Sequence, residues 1–370
     1  MALTAEDSLR LNVLLTRKLY AVRINESAML LYALYDGGEA KIQLHPDCED
    51  RIYLKQVREL LSSFALGSPE GFPVYLQRWS RMGQVKSSDQ ARMLCLGEPE
   101  AVVAVAHSPE VSLEVAQRVW WSMASAEIAR QLLAKPNIAN SELGRELAMF
   151  ILEFLPFEEE SQQAIESIVL LLNSSILTDE EELALWKRSK RKVTYLIGFL
   201  HARSSTLPGE WIDHESYQIN LDVSAEHISQ NPYIQNLHRV LAAPGQAFLS
   251  MFLDALSRFN DQDSIVLLFE ALERYFSDLA LEARPRHFSE IERHRDQLLI
   301  DERQHIQAMN VVYPNSEEKI AALIMLGMIG EPTLVPVLSQ STASGTVLRK
   351  QLKGISEQVE MLIRGVLLTG

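Results

Sequence analysis

The sequence predicts a mainly α-helical protein with a small antiparallel β-meander near its N-terminus. Two observations carry this reading. The first is an internal echo: Cys95-Leu96-Gly97-Glu98-Pro99 precedes Val102, Val103 and Val105, and Met328-Ile329-Gly330-Glu331-Pro332 precedes Val335 and Val337. Each copy follows a helical apolar run, residues 91–96 in one and 320–329 in the other. Gly past the last turn tolerates a left-handed closing residue, Glu faces the positive end of the next helix, and Pro suits its first turn. The second observation is a change of hydrophobic period from 3.6 to 2 and back, confined to residues 19–44. Recurring corners imply antiparallel helical pairs in an irregular, HEAT-like helical-repeat array. The echo is the one close internal match, so no regular repeat length is fixed.

The elements follow in order. Thr4 with Asp7 three residues later reads as a capping signal for a helix through residues 9–15. Tyr20, Val22 and Ile24 alternate, residues 29–35 are apolar and aromatic, and Ala40, Ile42 and Leu44 alternate with Glu39, Lys41 and Gln43. Asp36-Gly37-Gly38 supplies a hairpin turn, which makes three strands over residues 19–44. Asp47 begins a helix carrying Ile52, Val57, Leu60 and Leu61, stopped by Gly67-Ser68-Pro69. A short helix over residues 73–79 and a polar break at Lys86-Ser87-Ser88 come next.

Residues 89–203 read as helix, corner, helix, with breaks near Gly97, Ser108-Pro109, Lys135-Pro136-Asn137, Pro156 and Asn173-Ser174-Ser175. Residues 204–233 are the least periodic part of the chain, marked by Leu207-Pro208-Gly209 and Asn231-Pro232. Helical patterning returns over 246–281, 289–312 and 316–368. The expected organisation is an N-terminal region over 1–85, a helical-pair lobe over 86–203, an irregular connection over 204–245 and a C-terminal helical lobe over 246–370.

A chain of 370 residues exceeds one typical core. Its 47% hydrophobic content and mean hydropathy of −0.03 describe a globular protein rather than a disordered one. The net charge of −14, from 49 acidic against 35 basic residues, repels nucleic acid and anionic lipid. Apolar stretches such as residues 168–172 are too short to span a bilayer, and no basic region precedes an apolar run at the N-terminus. The expected location is cytoplasmic. Two cysteines, Cys48 and Cys95, give neither a disulfide framework nor a cysteine-rich zinc site.

No phosphate loop, His-Glu-x-x-His or dinucleotide fingerprint occurs, so no cofactor is expected and catalysis has no compact motif to sit on. Two weak catalytic candidates are Asp213 and His214 in the irregular connection, where an imidazole beside carboxylates suits general-base work and Ser216 is adjacent. Loop packing and hydrogen bonding are the favoured account of both. His294 and His305 lie eleven residues apart, close to three helical turns, and Glu302 precedes His305 by three. A carboxylate-bridged di-metal bundle needs a second Glu-x-x-His, which is missing, so an exposed polar helix face is favoured over a metal site.

The run Lys187-Arg188-Ser189-Lys190-Arg191-Lys192 is the densest basic patch, with Arg284-Pro285-Arg286-His287 the second. Acids from Asp179 to Glu182 behind a Thr178/Glu181 capping box make the first of these a solvated helix rather than an anion site. Cys95 sits in an apolar run and reads as inert, while Asp47, Glu49 and Asp50 disfavour a thiolate at Cys48. Trp120-Trp121 is either a partner surface or core; adjacent helical residues face about 100° apart, which favours core packing for at least one.

Several stretches together resemble the DsrS proteins, which accompany the reverse dissimilatory sulfite reductase genes of sulfur-oxidising bacteria. They are Ala5-Glu6-Asp7-Ser8-Leu9-Arg10-Leu11-Asn12, Val57-Arg58-Glu59-Leu60-Leu61-Ser62-Ser63, Leu66-Gly67-Ser68-Pro69 and Pro73-Val74-Tyr75-Leu76-Gln77-Arg78-Trp79. Gly97-Glu98-Pro99-Glu100-Ala101-Val102-Val103 and Phe154-Leu155-Pro156-Phe157-Glu158 complete the set, which covers the first half of the chain. The resemblance implies a cytoplasmic protein encoded beside machinery for oxidising stored sulfur, and it transfers no site residues. The expected function is therefore a non-catalytic accessory or interaction protein of sulfur oxidation with protein partners. The alternative is a small-molecule or thiol-handling enzyme with its pocket near residues 204–233.

Overall fold

The structure, a computed structural model, describes residues 3–69, 87–218, 232–279, 284–301 and 317–367. It is mainly helical, with one three-stranded antiparallel sheet near the N-terminus among the described residues. The chain divides into two compact units, Met1–Pro156 and Phe157–Gly370. The division falls at Pro156, one of the breaks legible in the sequence, and the irregular stretch after residue 203 lies inside the second unit.

The first unit opens with α1 (Ala5–Leu15), then β1 (Leu19–Asn25), β2 (Leu30–Tyr35) and β3 (Gly38–Gln43), and α2 (Asp50–Leu66). Strand order is β1-β2-β3, with Val22 opposite Ala33 and Tyr35 opposite Gly38 across the two-residue Asp36-Gly37 turn. Leu11, Leu14, Val22, Leu31, Ala33, Val57 and Leu61 form one buried cluster, which seats α1 and α2 on one face of the sheet. Helix α1 begins four residues before the expected residue 9. The Thr4 hydroxyl accepts from the Asp7 N–H at 3.3 Å, but the Asp7 carboxylate does not turn back to complete a box. It is wholly buried and takes hydrogen bonds from the His45 N–H (2.6 Å), the Tyr53 hydroxyl (2.5 Å) and His45 Nδ1 (3.2 Å).

The unit continues through α3 (Ser87–Met93), α4 (Pro99–Ala106), α5 (Leu113–Ser122), α6 (Ala126–Leu133), α7 (Pro136–Ala139) and α8 (Glu142–Phe154). The short helix expected over residues 73–79 lies outside the described residues. The first Gly-Glu-Pro corner has the expected chemistry: Gly97 is left-handed at φ +65°, and Pro99 is the first residue of α4. A Cβ at Gly97 would stand 2.9 Å from Ile24 Cδ1, so the corner also lets β1 approach closely.

The second unit contains α9 (Ser161–Asn173), α10 (Asp179–Ser189), α11 (Val193–Ala202), α12 (Glu215–Gln218), α13 (Pro232–Leu241), α14 (Ala243–Arg258) and α15 (Gln262–Tyr275). It ends with α16 (Phe288–Asp301), α17 (Glu317–Met328), α18 (Glu331–Leu338), α19 (Gly345–Gln351) and α20 (Lys353–Arg364). Apolar α11 is the hub, packed by α9, α10, α14 and α15 and buried from Tyr195 to Leu200. The Thr178/Glu181 capping box at α10 forms as the sequence predicts.

The second echo departs from the first. Gly330 has φ −173°, which is ordinary extended backbone, and α17 and α18 meet at a 63° bend rather than as an antiparallel pair. The physical reason is packing. Helix α18 lies on α15, and Arg284 fills the corner by donating to the Gly327 and Ile329 carbonyls at 2.8 Å each while pairing with Glu273 at 2.9 Å. Among the described residues no single helix is long and apolar enough to cross a membrane.

Candidate functional site

The irregular connection folds back onto the second unit through Asp213 and His214. Asp213 Oδ1 accepts the Ala243 N–H at 2.7 Å, which satisfies one of the orphan donors at the start of α14. His214 is 5% exposed; its N–H donates to the Leu241 carbonyl at 2.8 Å, and its Nδ1 accepts the Ser216 N–H at 3.0 Å at the start of α12. Both weak catalytic candidates therefore have helix-capping work, and Asp213 does not reach the His214 ring. The acid–imidazole pair read from the sequence is not assembled.

A different neighbour arrives from α17. Lys319 Nζ stands 3.4 Å from His214 Nε2 and 3.3 Å from Ser216 Oγ. Because Nδ1 of His214 accepts a hydrogen bond, the neutral ring carries its proton on Nε2. An ammonium has donors only, so a charged Lys319 would meet an N–H with an N–H. A neutral amine would accept it. Burial and then the Lys319 charge push His214 down against the pull of Glu215, and burial likewise pushes Lys319 down against Glu215. Ser216 and Lys319 are both partly exposed, so the group is reachable from solvent. Sequence reading missed Lys319 because it lies more than 100 residues from Ser216 and carries no motif of its own.

The other candidates separate. His294 is solvent-exposed with Nδ1 on the Glu290 carbonyl at 2.7 Å, and Glu302 and His305 lie outside the described residues. Among the described residues no group of three His, Cys, Asp or Glu side chains is placed to hold a metal. Cys95 is buried, and burial pushes its thiol up to about 11; Cys48 is partly exposed. Lys187, Arg188, Lys190, Arg191 and Lys192 are exposed, as a solvated helix end requires, while Arg284 of the second basic stretch is consumed by the α17–α18 corner. A cleft of 410 Å³ opens between α14 and α19–α20, with Leu253 and Leu256 among its lining. Its acids pair along their own helices, Asp254 with Arg258, Glu357 with Lys353 and Glu360 with Arg364.

Trp120 and Trp121 correct the expectation that core packing claims at least one of them: neither is fully buried. Trp121 stacks on the Arg23 guanidinium at 4.6 Å and donates Nε1–H to Glu39 at 3.3 Å. Trp120 turns the other way, toward α8. Its ring meets Phe150 edge-on at 4.9 Å, Phe150 stacks on Phe154 at 6.4 Å, and its Nε1–H donates to Glu146 at 2.7 Å. Phe154 is 38% exposed, and Trp120 and Phe150 are half-buried. The result is a row of three aromatic rings on the surface of the first unit, bordered by Glu146. No protein-family model, curated protein or solved structure matches the chain.

Proposed function

We propose that this protein is a cytoplasmic accessory or assembly protein of dissimilatory sulfur oxidation that works by binding other proteins. The setting rests on the resemblance of its first half to the DsrS proteins. The mode of action rests on one observation, the partly exposed row Trp120–Phe150–Phe154. Aromatic side chains that keep part of their area in water while holding fixed mutual geometry are the usual anchors of protein interfaces, because they bury much surface at little entropic cost. The acidic border and the net charge of −14 favour a partner with a basic rim, so association weakens as salt rises.

The test is affinity capture from the native cytoplasm at low and high salt, with the wild type beside a Phe150→Ala, Phe154→Ala variant. Loss of one aromatic anchor costs about 2 kcal/mol, or about thirtyfold in affinity. Sulfur-oxidation proteins recovered at low salt by the wild type and lost by the variant are the expected result. Equal recovery by both, or recovery of a bound metabolite with no protein partner, overturns the reading.

A further inference from the structure

Three cations and three acids line the 410 Å³ cleft between α14 and α19–α20, yet their pairing leaves one charge over. Lys353 pairs with Glu357 and Arg364 with Glu360, while Asp254 turns to Arg258, which is not part of the lining. Arg349 is the lining cation left without a carboxylate among the described residues. Its guanidinium is nevertheless held in place. Nη1 donates to the Phe259 carbonyl at 2.7 Å and to Asn260 Oδ1 at 2.8 Å, both neutral acceptors. The Gly345 N–H donates to the Asn260 carbonyl at 2.6 Å and ties the start of α19 to the same turn. A planar fork anchored through one nitrogen keeps its Nη2 and Nε donors for a further acceptor. In the same lining Leu253, Leu256 and Phe259 supply an apolar part.

We propose that this cleft binds an aliphatic monocarboxylate, with its carboxylate on Arg349 and its chain along Leu253, Leu256 and Phe259. The volume of 410 Å³ falls within the range of small-molecule sites, about 300–1,000 Å³. A positioned guanidinium with no acid of its own selects an anion, and its fork matches the two oxygens of a carboxylate. The rest of the lining narrows the class. A dianion such as a phosphate monoester would meet Glu357 and Glu360, and a cationic ligand would find every acid already paired. An anion without a chain would leave the apolar part in water. No bond is made or broken in this binding. The cleft belongs to the second unit and the aromatic row to the first, so either proposal survives the failure of the other.

Isothermal titration of the full-length protein at pH 7 compares octanoate with octanol, octylamine and acetate. One octanoate per chain is expected, held about thirtyfold more tightly than octanol, while octylamine and acetate show no saturable binding. Arg349→Met should lose that preference and bind octanoate only as well as octanol, and Arg349→Lys, which keeps the charge without the fork, should retain part of it. The wild type gives a second reading that needs no variant to fold. Octanoate should slow phenylglyoxal modification of Arg349, mapped by mass spectrometry, and leave Arg10 of the first unit at its unliganded rate. Octylamine bound as tightly as octanoate, an unchanged preference in Arg349→Met, octanoate uptake without saturation, or no protection of Arg349 overturns the proposal.

Discussion

Replacing Asp7 removes the one carboxylate that is completely buried among the described residues of the first unit, and the structure fixes what that costs. Asp7 accepts the His45 N–H at 2.6 Å, the Tyr53 hydroxyl at 2.5 Å and His45 Nδ1 at 3.2 Å, and both Asp7 and Tyr53 are 0% exposed. Since Tyr53 gives its proton to Asp7, the Thr4 hydroxyl donates to Tyr53 Oη at 3.0 Å and closes the chain. A hydrogen bond to a charged group contributes about 1.5–3 kcal/mol, and the His45 ring is half exposed, so the two strong bonds dominate. Asp7→Ala should destabilise the unit by about 3–5 kcal/mol, and Asp7→Asn, which keeps one acceptor oxygen, by about half of that.

The pH dependence follows from the same contacts. Burial by itself raises the Asp7 carboxyl, but the His45 N–H, the Tyr53 hydroxyl and the His45 ring outweigh it and hold the group below its ordinary value of 3.8. A depressed folded value means that the unfolded state binds the proton more tightly. The Asp7 contribution is therefore complete above about pH 5 and is lost as pH falls through the ordinary value toward the folded one. Tyr53 moves up, by burial first and then by its bond to Asp7, so the shared proton stays on the phenol at neutral pH. Hydrogen exchange of α1 and α2 peptides at pH 7 and near pH 4 reads the opening free energy locally. Paired with Tyr53→Phe, it gives a double-mutant coupling expected at about 1.5–3 kcal/mol. A coupling within 0.5 kcal/mol of zero, or an Asp7→Asn penalty that does not shrink at low pH, refutes this reasoning.

Two further outcomes follow. Arg284→Met leaves the Gly327 and Ile329 carbonyls without their donor and strips Glu273 of its partner, where the Arg284 side chain is only 9% exposed. It should cost about 2–3 kcal/mol, seen as faster thermolysin cleavage near the α17–α18 corner, with Arg284→Lys intermediate. In the native protein at pH 8, iodoacetamide should leave Cys95 unmodified, since its thiol is buried and held near 11, and should react at Cys48; equal labelling of both would contradict the burial.

Where the determinants are local, the sequence was a reliable guide. The meander over 19–44 appears as three strands within those bounds, because alternation and the Asp36-Gly37 turn act between near neighbours. The Thr178/Glu181 box and the Gly67 stop of α2, left-handed at φ +73°, are likewise decided within a few residues. Where a distant partner decides, reading the chain fails. The two corners share Gly-Glu-Pro and differ in conformation, since Ile24 and Leu61 crowd Gly97 while Glu273 and Arg284 crowd Gly330. Asp7 looked like a capping acid and became a buried acceptor because His45 and Tyr53 fold over it. Asp213 and His214 were found in the sequence for their chemistry, yet their nearest neighbours give them caps to make, and the side chain against His214 Nε2 is Lys319. Trp120 and Trp121 diverge because Arg23 holds one and Phe150 the other.

The central claim, that the aromatic row is a recognition surface, is tested most directly by site-specific photocrosslinking in the native cytoplasm. A benzophenone amino acid placed at Phe154 samples the row, and the same group at Ile212, which is 73% exposed and lies in the second unit, samples ordinary surface. The account predicts a salt-sensitive crosslink from position 154 to a defined sulfur-oxidation protein, absent from position 212 and lost when Phe150 is also changed to Ala. Crosslinks of the same proteins from both positions, or none from 154 at low salt, would contradict it.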